Sequence, residues 1–383
     1  MVKTTVKHTM SSSPRKKILF TVTNDLNHDQ RMIRICGTLQ EAGYEVTLIG
    51  RELKKSKPLN QQNFNQLRMK LWFDSGKLFY IHYNIRLLWK LLWIPCDAIC
   101  SIDLDSAVPG IFVAKLRRKG HFFDAHEMFP YVPEVQRRKG IQRIWLGIEK
   151  WVFKNTQVAY TVGTALANHF HNTYHKSVAV VRNMPLKQEQ IKLPFSHHLP
   201  AALENKPYLL YQGALNEGRG LEPLLHAMQQ ISIPLVIAGE GDLSIPLRQL
   251  AATLQLHHVH FVGQIPPADL PAITSHAWLG INVSDNVGLS YYLSLNNKFF
   301  DYIQSGLPSI INRFPEYEQL LQIHQTGWLC DANSEEIAQT ILQIQQQPEN
   351  YQRVKSQCLQ AAQTWNWENE KQHLIQLYNN YFS

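Results

Sequence analysis

The chain has 383 residues, enough for two domains, and its 44% hydrophobic and 18% charged content suits an ordinary globular fold. Its formal net charge of +8 suits an anionic partner: a nucleotide, a nucleic acid or an anionic membrane surface. Cys36, Cys96, Cys100, Cys330 and Cys358 are too few and too scattered for a disulfide framework, and no run of eighteen uncharged apolar residues is present to span a membrane.

Residues 1–16 are polar and basic, without the apolar core of a signal peptide, and read as a disordered tail. Lys17–Thr23 is a first strand, Arg31–Ala42 a helix with Met32, Ile35, Cys36 and Leu39 inward, and Tyr44–Gly50 a second strand. The turn after the first strand contains no glycine, which disfavours an NAD(P)-binding dehydrogenase. In Leu78–Trp93 an apolar stripe runs through Leu78, Ile81, Ile85, Leu88, Trp89 and Leu92. A core-facing helix is the first reading, and contact with a membrane interface through its basic and aromatic residues is the alternative. Arg137, Arg138, Lys139, Arg143, Lys150 and Lys154 would add to such a surface.

Two further strands, Asp97–Ile102 and His121–Glu127, flank a helix. Ligands of a parallel sheet sit at the carboxyl ends of its strands, which singles out Asp124, His126 and Glu127. A histidine that merely orders a loop through Glu127 is the plainer alternative. Ile141–Asn155, Val158–Val162 and Thr164–Tyr174 continue the alternation, and Val178–Pro185 is a strand carrying Asn183. Residues 187–206, rich in Gln, Pro and Lys, read as a linker.

A second β/α series opens with Tyr208–Gly213, and its turn, Ala214–Gly220, lets backbone approach a phosphate beside Arg219. Gly239 and Gly241 follow the strand at Leu235, His260–Gly263 is another strand, and Pro267–Ser275 a short helix. Neither Cys96 with Cys100 nor the run His257–His260 has the partners of a zinc site; buried thiols and a surface turn are expected. After the strand Trp278–Asn282 comes a polar loop with Ser294, Asn296 and Asn297. A helix follows that turns Phe299, Phe300, Tyr302 and Ile303 inward, stops at Gly306 and gives way to a strand at Ser309. Lys298 and Asp301 lie three apart, either an anion site with its acid or a surface ion pair. The tail from Ser334 is helical, broken at Trp365–Trp367.

Asn297–Tyr302 with Ser305–Pro308 resembles the donor segment of GT-B glycosyltransferases of the group 1 (family 4) type. Asp124–Glu127 and Gly213–Leu221 resemble two further motifs of that family. The resemblance implies an α/β GT-B fold of two facing Rossmann-like domains with parallel sheets and a cleft between them. The expected domains are 17–186 and 207–364, with 365–383 a helix crossing back to the first. It implies retaining transfer from a UDP- or GDP-linked sugar to a glycan, lipid-linked or other cell-envelope acceptor, with no cofactor and no metal. His126, Arg219 and Lys298 would be catalytic. Gly213, Gly218, Gly239, Gly241, Asn297 and Asp301 would hold the donor, and Asp124, Glu127 and Asn183 would lie on the acceptor side. Two departures stand out: Leu293 replaces the first of two glutamates usual there, and Ala214 replaces an arginine found in many members. The implied location is cytoplasmic, with peripheral contact to the inner face of the plasma membrane as a variant. Competing readings are a catalytically silent GT-B scaffold, a nucleotide-sugar epimerase and, on charge alone, a nucleic-acid binder.

Overall fold

The computed structural model describes residues 14–27, 29–189 and 193–383. The expected tail up to residue 13, His28 in the first turn and residues 190–192 of the expected linker lie outside them.

Short apolar runs alternating with amphipathic helices give parallel sheets covered on both faces. The first sheet contains β1 (Lys17–Thr21), β2 (Glu45–Glu52), β3 (Asn65–Lys70), β4 (Ala98–Ile102), β5 (Gly120–Ala125), β6 (Val158–Thr161) and β7 (Ala179–Val180), in the order β3-β2-β1-β4-β5-β6-β7. The second contains β8 (Leu209–Gln212), β9 (Leu235–Ala238), β10 (Val259–Gly263), β11 (Leu279–Asn282), β12 (Ser309–Ile311) and β13 (Gly327–Leu329), in the order β10-β9-β8-β11-β12-β13. Both orders reverse direction at their first strand, β1 or β8. Such a topological switch leaves a crevice at the strands' carboxyl ends. These are the two Rossmann-like domains of the GT-B fold.

The chain divides into two compact units. One holds the described residues up to His126 with Trp145–Tyr160 and Ile375–Ser383; the other holds Glu127–Ile144 and Thr161–Leu374. In the first unit, helix α1 (Gln30–Glu41) buries Met32, Ile35, Cys36 and Leu39, as its periodicity predicts. The chain's last helical residues belong to this unit, where the Tyr378 ring stacks on Phe122 at 4.3 Å between centroids. All five cysteines are buried and free.

Helix α2 (Gly76–Trp93) corrects one expectation. Its buried row is Phe79, Tyr83, Leu87 and Leu91, which packs with Leu19, Ile49 and Met69. Leu78, Ile81, Ile85 and Trp89, expected to face the core, are exposed, and Leu88 and Leu92 are only partly buried. A helix apolar all round offers periodicity two equivalent stripes. Helix α3 (Asp103–Leu116) packs beside it, and Arg117 Nη1 donates to the carbonyls of Leu91 and Ile94 at 2.9 and 2.7 Å, capping the end of α2.

In the second unit, the expected strand at Val178–Pro185 is regular only over Ala179–Val180. Part of the expected linker packs here: Leu199 and Leu203 are buried with Tyr208, Leu210 and Tyr302. The tail forms three helices, Ser334–Gln345, Pro348–Thr364 and Trp367–Phe382.

Candidate functional site

The site of the second unit is a cavity of about 470 Å³ at the carboxyl ends of β8, β9 and β10. Gln212, Gly213 and Ala214 enter from β8, Gly239 and Glu240 from β9, and Gln264 and Ile265 from β10. Arg219 adds a cation from the turn, and Asn296, Asn297, Lys298 and Asp301 come from the helix Asn297–Gln304. That helix ends as predicted, with Gly306 at φ +64°. Gly306 N–H donates to Ile303 O and Leu307 N–H to Tyr302 O, both at 2.9 Å, so the free carbonyls of the last turn are satisfied. Its apolar face, with Phe299, Phe300 and Ile303 buried, holds its first turn in the cavity wall. Gly239 sits at φ +156°, and a Cβ there would collide with the Gly213 carbonyl oxygen, so two glycine turns meet at the cavity floor.

Lys298 is 9% exposed, with its ammonium 3.6 Å from the centre of the Tyr211 ring. Burial, seconded by the nearby Arg219 charge, holds its pKa well below the usual lysine range, against a weaker pull from Asp301. Arg219 Nη1 donates to Asn296 Oδ1 at 3.3 Å, its guanidinium carbon lies 5.5 Å from the Tyr291 ring centre, and its Nε is buried without a hydrogen-bond partner. Two basic side chains, one holding an unused donor, therefore border one polar cavity. Asp301 Oδ2 accepts from Gln212 Nε2 at 3.4 Å, and Gln212 Oε1 accepts from Thr274 Oγ1 at 3.0 Å, which fixes the carboxylate's neighbour.

Of the residues singled out in sequence, Gly213, Arg219, Gly239, Asn297, Lys298 and Asp301 line this cavity. Gly218 is in the adjoining turn, where its carbonyl accepts from Asp285 N–H at 3.0 Å. Gly241 does not line the cavity; it packs against Leu215 and Asn216. Asn183 Nδ2 donates to Asn297 Oδ1 at 2.8 Å. Asn296 was missed. Its Nδ2 donates to Asn282 Oδ1 at 3.1 Å and its backbone N–H to Tyr317 Oη at 2.9 Å, so it is rigid where it meets Arg219. Gln212 was missed as well, although a polar residue closing the apolar run of β8 was the available signal.

In the first unit Asp124 is fully buried at the end of β5, with Arg31 donating to it through Nε at 3.1 Å and Nη2 at 2.9 Å. His126 lies between two acids: Nε2 is 3.1 Å from Asp124 Oδ2, and Nδ1 is 3.6 Å from Asp103 Oδ2. Burial disfavours the charged ring, but Asp124 and Asp103 outweigh it and raise its pKa to about 9. The alternative of a loop ordered through Glu127 gives way here: the acids that face the ring are Asp124 and Asp103, and Glu127 is exposed. The two acids thus favour the charged form of the His126 ring, with Asp124 its nearer neighbour. In the second unit, Arg137 forms an exposed pair with Glu217 at 2.5 Å. His121, in the sheet, is buried between Thr156 and Ser101, and burial lowers its pKa to about 3.

Residues 197–360 match the family described as glycosyl transferases group 1. The D-rhamnosyltransferase WbpZ of Pseudomonas aeruginosa is 38% identical over 121 residues, which make up 31% of this chain and 31% of that protein. The chain therefore aligns with about a third of the length of that curated relative. The Anabaena protein HepE, solved with UDP and glucose, superimposes at a TM-score of 0.77 with 14% identity, over 96% of this chain and 100% of that one. A sucrose-phosphate synthase from Thermosynechococcus elongatus superimposes at 0.76 with 18% identity, over 96% and 99%. The chain has the GT-B fold, and residues 197–360 within it resemble the group 1 glycosyltransferases.

Proposed function

We propose that the protein transfers a glycosyl unit from a UDP- or GDP-linked sugar to a glycan, lipid-linked or other cell-envelope acceptor on the cytoplasmic side, with retention at the anomeric carbon. The observation that carries this reading is the convergence of Arg219, Lys298 and Asp301 on one cavity floored by Gly213 and Gly239. The donor's diphosphate would lie against Arg219 and Lys298, and the ribose hydroxyls would donate to Asp301. As the bond between the anomeric carbon and the phosphate oxygen breaks, its electron pair passes to the diphosphate. The acceptor oxygen bonds to the same face of that carbon and passes its proton to the departing diphosphate oxygen. The leaving diphosphate gains charge, so its contacts to both cations strengthen toward the transition state. This reading calls for no metal, because the two side chains supply the positive charge. HepE has been solved with UDP-glucose, which supports a nucleotide-sugar donor for a chain of this fold.

A thermal-shift screen of nucleotide sugars, followed by donor cleavage without acceptor, tests the reading. A donor at a hundredfold its dissociation constant should add about 2.7 kcal/mol of stability. Leu293 and Ala214, which replace charged residues usual in the family, favour one second reading, a silent scaffold that binds the donor and leaves it intact. Stabilisation without cleavage would support that reading.

A further inference from the structure

The outward face of α2 has no partner among the described residues. Leu78, Ile81, Ile85, Trp89 and Trp93 follow helical spacing opposite the buried row, with Trp89 60% and Trp93 77% exposed. Trp72, 80% exposed in the turn before the helix and stacked on His82 at 4.9 Å, extends the same apolar character. On the neighbouring α3, Val108, Phe112 and Leu116 form a second exposed row at four-residue spacing. Two adjacent helices thus present large apolar side chains to solvent, more than the scattered exposure usual for a monomer.

The charges around these rows have one sign. Helix α2 carries Lys77, Arg86 and Lys90 and no acidic residue. The two acids of α3 are turned elsewhere: Asp103 faces His126, and Asp105 is buried and accepts from Thr23 Oγ1 at 2.7 Å. Asp74, in the turn before α2, is paired with Lys54 at 3.4 Å. No helix among the described residues is long and apolar enough to cross a bilayer. An apolar row about 22 Å long, set with tryptophans and basic residues, instead suits a helix lying in the interfacial plane.

We propose that α2 and the exposed row of α3 dock this protein on an anionic lipid surface, with Trp72, Trp89 and Trp93 entering the headgroup region and Lys77 and Lys90 meeting lipid charge. The proposal stands on this face alone and does not depend on the glycosyl reading.

Flotation of the full chain with phosphatidylcholine vesicles, with and without phosphatidylglycerol, tests it. Binding should require the anionic lipid, weaken as salt rises and shift tryptophan emission to the blue. Lys77→Ala and Lys90→Ala should each weaken it by roughly fivefold, and Trp89→Ser with Trp93→Ser should abolish it. These side chains are exposed, and circular dichroism will verify that the variants fold. Equal recovery on neutral and anionic vesicles would overturn the proposal. So would a wild-type dimer in sedimentation that Trp89→Ser dissociates, since the face would then join two copies of the chain.

Discussion

Among single residues, Lys298, Arg219 and Asp301 are each set by their immediate surroundings. Lys298 has its pKa pushed well down by burial, with Arg219 adding to the effect. A bound diphosphate would push it back up, so donor binding should take up a proton. Where Lys298 is protonated both free and bound, affinity is at its maximum and independent of pH. Once the pH passes the free protein's pKa, affinity should fall. A nucleotide sugar does not titrate its diphosphate diester near neutrality, so calorimetry in buffers of different ionisation enthalpy isolates this uptake. Lys298→Arg should remove it. Asp301→Ala should weaken nucleotide affinity by roughly 1.5–3 kcal/mol through loss of a charged acceptor. Unchanged affinity in a folded variant would take Asp301 out of the ribose contact. Arg219→Lys should recover only part of the function lost in Arg219→Ala, because a point charge replaces a planar fork.

At the scale of elements, the alternation of apolar runs and helices was legible because each run is buried on both faces. β3 was not, because the edge strand Asn65–Lys70 is largely polar and buries only Met69. The break at Gln346–Gln347 does carry a sequence signal, Pro348 at the first position of the next helix, which the run of glutamines before it masks. The end of the Asn297–Gln304 helix was readable from Gly306, and its φ of +64° explains why. Gly306→Ala should cost about 1–2 kcal/mol, seen as a loss of a few degrees in the melting temperature. Gly239→Ala is more severe. It adds backbone strain of roughly 1–3 kcal/mol to a collision with the Gly213 carbonyl, and should lose donor binding as well as stability. Wild-type donor affinity in that variant would contradict the close approach of the two turns.

At the scale of the whole molecule, the motifs at Gly213–Leu221 and Asn297–Pro308 were legible as parts of one site, because strand ends and helix starts of a doubly wound sheet converge. The partners of those motifs were not. Gln212, Asn296 and Asp103 meet their charged neighbours only through the fold, and Asp103 does so from a left-handed backbone at φ +54°. The His126 cluster ties the molecule's stability to pH. Its pKa is raised from 6.5 to about 9, so its stabilisation is complete below about pH 6.5 and is lost as the pH rises through about 9. The melting temperatures of wild type and His126→Gln should therefore converge above that pH; a gap that stays constant would contradict the charged ring. In the proposed reaction Arg219 and Lys298 carry the leaving diphosphate. Single-turnover cleavage of a saturating nucleotide sugar tests it directly, with circular dichroism confirming that each alanine variant is folded. Loss of either cation should slow the step by about a hundred- to a thousandfold, whereas losses under about threefold in both variants, the scale of a surface pair, would contradict the account.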